Sequence, residues 1–372
     1  MTILHTVEMY NPVVCGVQEV VQKISEVLVK RGHEVTVATT YNPDRNFKEL
    51  NGVKIEHFNI SGKWVRGFKG EKNKYTEFLH SFNGDIMMNY AALQWGTDLV
   101  YPILKKLPYK KILIPCGYST FDNWKWRPYY WMLPGVLKKY NHIIYHCKGY
   151  RDFNFGIKNN INNYTVIPNG VAIEEFEHAT GGFKNEYGIK QTNMFLCVSN
   201  YGPYKNQEFV IKAFINAGLK DSSLVLIGSK FNEYSNYLKS LLGNNCNNIY
   251  FFEKLQRNKI VSAYIDADLF LFGSKIEYMP LVILEAMASS TPFISTDVGC
   301  VGSLPGGMIV DSLEKMVYSI NWLMKNSEVK NTFANEGRKA FMEFFNWEKI
   351  INEYEKVFYI VLYSAESINI IN

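Results

Sequence analysis

The protein has 372 residues, of which 47% are hydrophobic and 20% charged, and its formal net charge is +5 at pH 7. A chain of this size can bury large cores without disulfide or metal staples, and its composition is typical of a soluble globular protein with about two domains. The mildly basic charge comes without any dense run of lysine and arginine. It therefore indicates anionic small molecules or an anionic membrane surface as partners, and it disfavours nucleic acid.

The six cysteines are scattered along the chain, with no CxxC pair and no cysteine–histidine cluster. This distribution favours a reduced, cytoplasmic protein without a zinc site. The first residues lack a basic start followed by an apolar core, and no apolar run reaches the roughly 20 residues that a membrane-spanning helix needs. We therefore expect a cytoplasmic protein, with at most a peripheral contact at the inner face of a membrane.

Short strand-like runs alternate with helical stretches along the whole chain, which indicates βα units in parallel sheets. The first helix is predicted at about 18–30, before a break at Gly32. A turn-forming stretch at 168–170 separates two sets of predicted strands. The first set lies at 3–7, 34–38, 85–88, 111–115, 142–145 and 164–167, and the second at 194–199, 223–228, 249–252, 269–272, 292–295 and 308–310.

Two such sets predict an α/β protein with two Rossmann-like doubly wound domains facing a cleft. The first domain is predicted to cover 1–168 and to be completed by a C-terminal helix at about 350–372. The second domain is predicted to cover 169–349. Ligands of doubly wound sheets bind beyond the carboxyl ends of the strands, so the loops at those ends hold the candidate site residues.

Two loops, one after the first strand of each domain, contain residues suited to a phosphate group. Gly16 in the first loop would let the backbone approach a phosphate, although a plain strand-to-helix turn explains this glycine equally well. Lys205 in the second loop could pair with a diphosphate and stabilise the charge that develops on it as it leaves. A solvated side chain is the simpler explanation of a lone lysine. The first loop has no GxGxxG motif, which argues against a dinucleotide-binding oxidoreductase.

Two glutamates, Glu277 and Glu285, flank a short apolar run after the predicted strand at 269–272. If a helix begins near Pro280, Glu277 lies in the loop beyond the strand and Glu285 lies about one turn inside the helix. The helix N-terminus would then offer N–H groups to a diphosphate, with a carboxylate on either side for the hydroxyls of two sugar rings. A solvent-facing amphipathic helix is the simpler explanation of an isolated pair.

Asp266 and Asp268 form a DxD pattern, which in metal-dependent sugar transferases follows a strand and holds a divalent cation. Here the pattern precedes the predicted strand at 269–272 and ends a helix. Helix capping or surface packing is therefore the preferred explanation, and we predict no metal site.

Taken together, these motifs resemble family 4 of the retaining glycosyltransferases, which have the GT-B architecture. The similar segments are 32–37, 166–171, 198–206 and 277–288, together with Thr291 and Pro292, and their order and spacing match along almost the whole chain. The resemblance favours the functional interpretation of the two glutamates.

The resemblance implies a role for each matching residue. Lys205 and Glu277 would be catalytic, with Lys205 on the diphosphate and Glu277 on the hydroxyls of the transferred sugar. Glu285 would bind the ribose hydroxyls. The remaining donor contacts would come from Gly16, Asn200, Lys254, Leu255, Met279, Pro280, Leu281 and Val282.

The chain departs from the family pattern at three positions. Asn200 stands where the family has an arginine, so the leaving group has one cation fewer unless Arg257 or Lys275 substitutes. Cys116 precedes Gly117 where the family often has a histidine. Met279 belongs to a pair that replaces the usual small and aromatic residues, so the shape of the donor pocket differs.

The segment 118–134 is unusually rich in aromatic and basic residues. It could be a sugar-stacking acceptor platform or a contact with a membrane interface, and it could equally be a well-packed core around a bent connection. We assign Cys116, Gly117, Tyr118 and Trp124 as candidate acceptor contacts.

The resemblance implies a retaining, metal-independent hexosyltransferase without a cofactor. It would move a sugar from a UDP-sugar or GDP-sugar to a hydroxyl of a glycan or lipid-linked acceptor, in bacterial surface polysaccharide synthesis. A nucleotide-sugar epimerase and a non-catalytic partner subunit of the same architecture remain open alternatives.

Overall fold

The computed structural model describes residues 1–13, 15–242 and 247–363. The chain divides into two compact units, the first formed by Met1–Asn169 with the chain from Trp347 onward, and the second by Gly170–Asn346. The last part of the predicted C-terminal helix, 364–372, lies outside the described residues. We describe each unit by itself.

The first unit is built on a sheet of eight strands in the order β10-β9-β8-β7-β1-β2-β4-β3, and all neighbouring strands in it are parallel except β3 and β4. Strands β5 and β6 form a separate hairpin. The strands are β1 (Thr2–Thr6), β2 (Glu34–Thr40), β3 (Glu49–Leu50), β4 (Val53–Phe58), β5 (Ile60–Lys63), β6 (Gly67–Gly70), β7 (Ile86–Tyr90), β8 (Lys110–Ile114), β9 (His142–Tyr145) and β10 (Tyr164–Val166).

The helices of the first unit pack apolar stripes against this sheet. In α1, Val20, Val21, Ile24 and Leu28 recur at helical spacing and are buried. The helices are α1 (Gly16–Lys30), α2 (Lys72–Ser81), α3 (Trp95–Asp98), α4 (Arg127–Leu137), α5 (Arg151–Lys158) and, at the end of the chain, α14 (Trp347–Tyr363).

Helix α14 belongs to the first unit although more than 170 residues of the second unit precede it in the chain. Its buried face includes Tyr354 and Phe358. Glu355 ties it to the end of α1, because its two carboxylate oxygens lie 2.6 Å from Arg31 Nη1 and 2.9 Å from His33 Nε2.

The second unit has a six-stranded, fully parallel sheet in the order β13-β12-β11-β14-β15-β16. Its strands are β11 (Asn193–Val198), β12 (Ser222–Gly228), β13 (Ile249–Glu253), β14 (Leu269–Phe272), β15 (Phe293–Thr296) and β16 (Gly307–Val310). Its helices are α6 (Glu174–Glu177), α7 (Phe183–Glu186), α8 (Gln207–Ala217), α9 (Glu233–Ser240), α10 (Arg257–Asp266), α11 (Leu281–Ala288), α12 (Leu313–Lys325) and α13 (Ser327–Phe344).

The prediction of two doubly wound α/β domains is confirmed. Every predicted strand is present, with bounds shifted by at most two residues, and α1 begins at Gly16 instead of at 18. The prediction omitted β4, whose alternating burial shows that one face is exposed, and the small hairpin β5–β6. Within the described residues, no helix combines the length and the apolarity that crossing a bilayer requires.

Candidate functional site

The order of strands in the second unit places β11 next to β14 at its centre. Chain connections leave these two strands toward opposite sides, which makes this point the topological switch where doubly wound sheets bind ligands. Two loops follow the carboxyl ends of these strands, at 199–206 and 273–280. They contain Lys205 and Glu277, so the fold brings the two predicted catalytic residues to one place.

Hydrogen bonds from the side chains of Tyr201 and Asn206 hold the loop after β11 in place. The Tyr201 ring is buried, and its hydroxyl lies 3.0 Å from the carbonyl oxygen of Leu226 and 2.9 Å from that of Phe252. Asn206 adopts a left-handed conformation with φ of 54° and donates from Nδ2 to the carbonyl oxygen of Gly273 at 3.0 Å. These hydrogen bonds connect the loop to β12, to β13 and to the residue after β14, so the backbone that carries Lys205 is fixed.

Lys205 and Glu277 form an ion pair, with 2.6 Å between Lys205 Nζ and Glu277 Oε1. The lysine side chain is 33% exposed and the glutamate side chain 12% exposed, so both remain open to a ligand. The buried Ser274 hydroxyl donates to the same carboxylate oxygen at 2.8 Å. Ser274 could not be singled out from the sequence, because a serine after a strand carries no distinctive pattern.

The helix predicted near Pro280 is present as α11, with Pro280 as its N-cap residue. Proline offers no side-chain acceptor for the first N–H groups of the helix, and Leu281 and Val282 are only half-buried. Positive charge from the helix dipole therefore faces outward at this point. This geometry suits an anion such as a diphosphate.

The segment that leads into α11 is fixed by Gly299. This glycine has φ of +61°, and a Cβ atom on it would lie 2.1 Å from the carbonyl oxygen of Tyr278. The next residue, Cys300, donates its backbone N–H to that same oxygen at 2.7 Å. Only glycine allows this close approach, which sets the position of the loop that carries Glu277.

Glu285 lies in the second turn of α11, as predicted, and its side chain is 5% exposed. Arg257 at the start of α10 approaches it, with 2.5 Å between Arg257 Nη1 and Glu285 Oε1. The same guanidinium donates from Nε to Glu175 Oε2 at 2.7 Å. The buried Tyr264 lies beside this pair, and burial followed by the Glu285 charge raises its pKa above the usual value.

Arg257 was proposed from the sequence as a replacement for the missing loop arginine on the leaving group. In this structure it instead pairs with the carboxylate that the resemblance assigns to the ribose. Lys275, the other proposed replacement, is exposed.

The remaining predicted donor contacts occupy several places around the switch point. Asn200 is exposed in the loop after β11, and Met279 and Pro280 are buried just before α11. Lys254 and Leu255 follow β13, two strands away from β11, and Lys254 is exposed with φ of 53°. They therefore lie at the same edge of the sheet as Lys205.

The predicted site residues of the first unit also lie at the carboxyl edge of their sheet. Gly16 is the first residue of α1, and the space where a Cβ atom would project is open. Cys116, Gly117 and Tyr118 follow β8 with φ values of 58°, 90° and 51°. Such backbone strain in non-glycine residues is concentrated at functional sites.

The aromatic candidates of the first unit differ sharply in exposure. The Tyr118 ring is fully buried, edge-on to the rings of Tyr130 and Phe155, so only its backbone can meet an acceptor. Trp124 is 70% exposed. The segment 118–134 is therefore partly core and partly surface, and neither of the two interpretations holds for the whole of it.

The preferred explanation of the DxD pattern is confirmed. Asp266 accepts hydrogen bonds from the backbone N–H groups of Gly182 and Lys184, where it caps α7. Asp268 accepts from the Met194 N–H at 3.1 Å and pairs with Lys330 at 2.9 Å. Among residues 1–13, 15–242 and 247–363, no group of three or more histidine, cysteine or acidic side chains is placed to hold a metal ion.

Comparison with solved structures settles the fold. HepE of Anabaena, solved in complex with UDP and glucose, superposes with a TM-score of 0.76 over 96% of this chain and 98% of that chain, at 15% identity. The chain has the GT-B fold. At this level of identity the likeness extends to the architecture alone.

The sequence also matches a family model and curated relatives. Residues 182–340 match the family model described as glycosyl transferases group 1. An uncharacterised glycosyltransferase of Methanocaldococcus jannaschii is 26% identical over 60% of this chain and 59% of its own length. N-acetyl-alpha-D-glucosaminyl L-malate synthase of Bacillus anthracis is 29% identical over 48% of this chain and 49% of its own length. The chain thus spans about half to three fifths of the length of these two relatives.

Proposed function

We propose that this GT-B chain is a retaining glycosyltransferase that moves a sugar from a UDP-sugar or GDP-sugar to a hydroxyl group of a glycan or lipid-linked acceptor. The observation that carries the proposal is the ion pair between Lys205 and Glu277 beside the uncapped start of α11. One cation, one carboxylate and a helix N-terminus meet at the switch point of a doubly wound sheet. A diphosphate with a sugar attached needs this combination.

The match of residues 182–340 to the family model covers Lys205, Glu277 and Glu285. The comparison with HepE adds that a protein of the same fold has been solved with UDP and glucose. Both support a nucleotide-sugar as the donor of this chain.

In the proposed reaction, the bond between the anomeric carbon and the diphosphate breaks, and a bond from the same carbon to the acceptor oxygen forms on the same face. The acceptor proton passes to an oxygen of the leaving diphosphate. Lys205 and the N–H groups at the start of α11 stabilise the charge on that diphosphate, so the proposal requires no metal ion. Glu277 holds the hydroxyls of the transferred sugar and thereby orients the anomeric carbon.

The pairing of Arg257 with Glu285 adds one requirement to donor binding. A ribose that hydrogen-bonds Glu285 must share this carboxylate with the guanidinium or displace it. Because Arg257 also reaches Glu175, it has a second partner to hold it when the ribose arrives.

The acceptor of the proposed transfer supplies a hydroxyl group. The name of the Bacillus anthracis relative includes L-malate, a small hydroxy acid. For this chain we propose a growing bacterial surface glycan or a lipid-linked precursor, with the enzyme acting in the cytoplasm at the inner face of the membrane. This choice follows from the resemblance of the motifs to family 4.

A screen of UDP- and GDP-sugars for hydrolysis and transfer, with and without EDTA, tests the proposal. We expect one donor class to be consumed in the presence of EDTA, and the anomeric configuration of the donor to be retained in the product by NMR. Loss of activity in EDTA would contradict metal independence, and an inverted product would contradict retention. A new nucleotide-sugar formed without any acceptor would identify an epimerase instead, and no binding of UDP or GDP in calorimetry would identify a non-catalytic subunit.

A further inference from the structure

The segment 121–139 of the first unit presents large aromatic side chains to solvent. Trp131 is 88% exposed and Trp124 is 70% exposed, and Phe121 is 40% exposed. Tryptophan is usually well buried in soluble proteins because its large surface is costly to leave in water. Two such exposures within eight residues of sequence are not explained by the packing of the first unit.

The structure of the segment holds these side chains outward. A short 3₁₀ helix, Trp124–Trp126, leads directly into α4. Helix α4 is anchored by its buried residues Tyr129, Tyr130 and Leu133, which pack into the aromatic core of the unit. Because one face of α4 is fixed in this way, the opposite face cannot turn its side chains inward.

The exposed face of α4 carries positive charge on both sides of the tryptophan. Arg127, Trp131 and Gly135 are exposed at intervals of four residues, and Lys138 and Lys139 continue the stripe beyond the end of the helix. Lys125 lies 5.8 Å from the centre of the Trp124 ring. From Trp124 to Lys139 the sequence contains four basic residues and no acidic residue. Asp122, the carboxylate just before this stretch, pairs with Arg151 at 2.9 Å.

We propose that this surface, formed by Trp124, Lys125, Arg127, Trp131, Lys138 and Lys139, binds the anionic face of a lipid bilayer. Tryptophan side chains prefer the boundary between headgroups and acyl chains, where the ring is partly apolar and the indole N–H stays hydrated. Lysine and arginine side chains beside them meet anionic headgroups, and each adds to the binding. The protein therefore lies on the membrane and does not enter it.

A sugar-stacking acceptor platform is the other occupant that the sequence allowed. Sugar recognition needs hydrogen-bonding carboxylates or amides around the aromatic ring in a concave site. Trp131 instead projects from a convex helix face with 88% of its surface exposed, and its described neighbours on that face are basic or small. The charge and the exposure both favour an anionic bilayer.

Cosedimentation of the full-length protein with lipid vesicles tests this proposal without using enzymatic activity, so its outcome is separate from that of the donor screen. The wild-type protein should sediment with vesicles that contain phosphatidylglycerol, and much less with vesicles of phosphatidylcholine alone. Added salt should weaken the binding, because it screens exposed charges. The double variant Trp124→Ser/Trp131→Ser should bind at least about tenfold more weakly.

The charge contribution has a matched control. Lys138→Glu/Lys139→Glu should lower binding about a hundredfold or more, since two attractive charges become repulsive. The same change in another exposed lysine pair of the first unit, Lys105→Glu/Lys106→Glu, should have a much smaller effect. Tyr318→Ser removes a 64% exposed aromatic residue from the second unit and should leave binding unchanged.

Three results would overturn the proposal. The first is no sedimentation of the wild-type protein with phosphatidylglycerol vesicles, and the second is equal binding to phosphatidylcholine vesicles. The third is a loss of binding in the control variants that is as large as in the α4 variants. Circular dichroism of each variant confirms that it is folded, and no loss of fold is expected because every substituted side chain is exposed.

Discussion

The two units share one architecture and differ in what lies at the carboxyl ends of their strands. In the second unit, partly exposed cations pair there with largely buried carboxylates, Lys205 with Glu277 and Arg257 with Glu285. In the first unit, an ion pair between Glu8 and Lys63 is accompanied by buried polar side chains that lie among aromatic residues. A doubly wound sheet therefore presents loops at the carboxyl ends of its strands, and the residues of these loops determine whether a charged ligand can bind there.

The buried polar groups of the first unit show this contrast in detail. His146 lies 2.9 Å from the Tyr90 hydroxyl and 2.8 Å from the carbonyl oxygen of Ile167, and burial lowers its pKa to about 4. Burial also raises the pKa of Asp98 to about 7, although Tyr129 donates to it at 2.8 Å. Burial therefore favours the neutral form of each of these two groups.

The largest effect that we predict is a loss of stability of the first unit in acid. Burial lowers the pKa of His5 to about 3, and those of His142 and His146 to about 4, from 6.5. Their contribution to stability is complete above pH 6.5 and is lost as the pH falls, by several kcal/mol in total. The one histidine of the second unit, His178, is exposed.

Amide hydrogen exchange at a series of pH values, resolved by peptide, measures this prediction. Protection should be lost below pH 6 in peptides of 1–169 before peptides of 170–346. Asp98 acts in the opposite direction, because the stability that its raised pKa provides is lost as the pH rises through about 7. Three histidines outweigh one aspartate in acid, so earlier loss of protection in the second unit would show that these histidines do not control acid stability.

Glu277→Gln should lower kcat/KM for sugar transfer by about 100-fold or more, since the carboxylate that pairs with Lys205 and orients the sugar is gone. Stability should change little, because water can reach the freed lysine. Steady-state kinetics and thermal unfolding give the two readouts. Glu314→Gln, the same substitution at a remote position on α12, is the control and should retain full activity. Full activity of Glu277→Gln would remove our assignment of the catalytic site.

Lys205→Ala should weaken binding of UDP or GDP about tenfold, because a diphosphate loses its nearest cation. Calorimetric titration measures the affinity directly. Lys212→Ala is the matched control: this lysine lies on the helix that follows the Lys205 loop and pairs with Glu208 one turn away. Equal losses in the two variants would mean that general surface charge, and not the position of Lys205, binds the nucleotide.

The smallest effect is expected for Arg257→Ala, which leaves the buried Glu285 without its guanidinium. The free energy of unfolding of the second unit should fall by about 1 kcal/mol, since the arginine is itself partly exposed. Arg257→Lys should restore part of the loss, because one charge remains while the bridge to Glu175 is broken. Denaturant unfolding measures both, and unchanged stability in Arg257→Ala would show that Glu285 does not depend on this pair.

The difference between the units also explains how far the sequence could predict each of them. Short apolar strands separated by helices predict both sheets, because this pattern reflects burial alone. The place of the Lys205 and Glu277 loops could be predicted because they follow predicted strands, whereas the roles of these residues came from the resemblance. The pairing of Arg257 with Glu285 was not, since it joins positions 28 residues apart on two helices and depends on how these helices pack.

Several features of the first unit could not be predicted from the sequence, for a related reason. Trp131 and Tyr118 are both aromatic, yet Trp131 is exposed and Tyr118 is buried. The difference depends on which face of α4 and which side of the loop after β8 pack against the core. Strand β4 was missed because Lys54 and Glu56 interrupt its apolar residues with charges on the exposed face. In each case the local sequence is compatible with more than one structure, and tertiary packing determines which one forms.

A crystal structure of the protein soaked with UDP or GDP tests the central claim most directly. We predict density for the diphosphate at the start of α11, in contact with Lys205 and the N–H groups of Leu281 and Val282, with the ribose beside Glu285. Nucleotide density away from the carboxyl edge of the second unit's sheet would contradict the account.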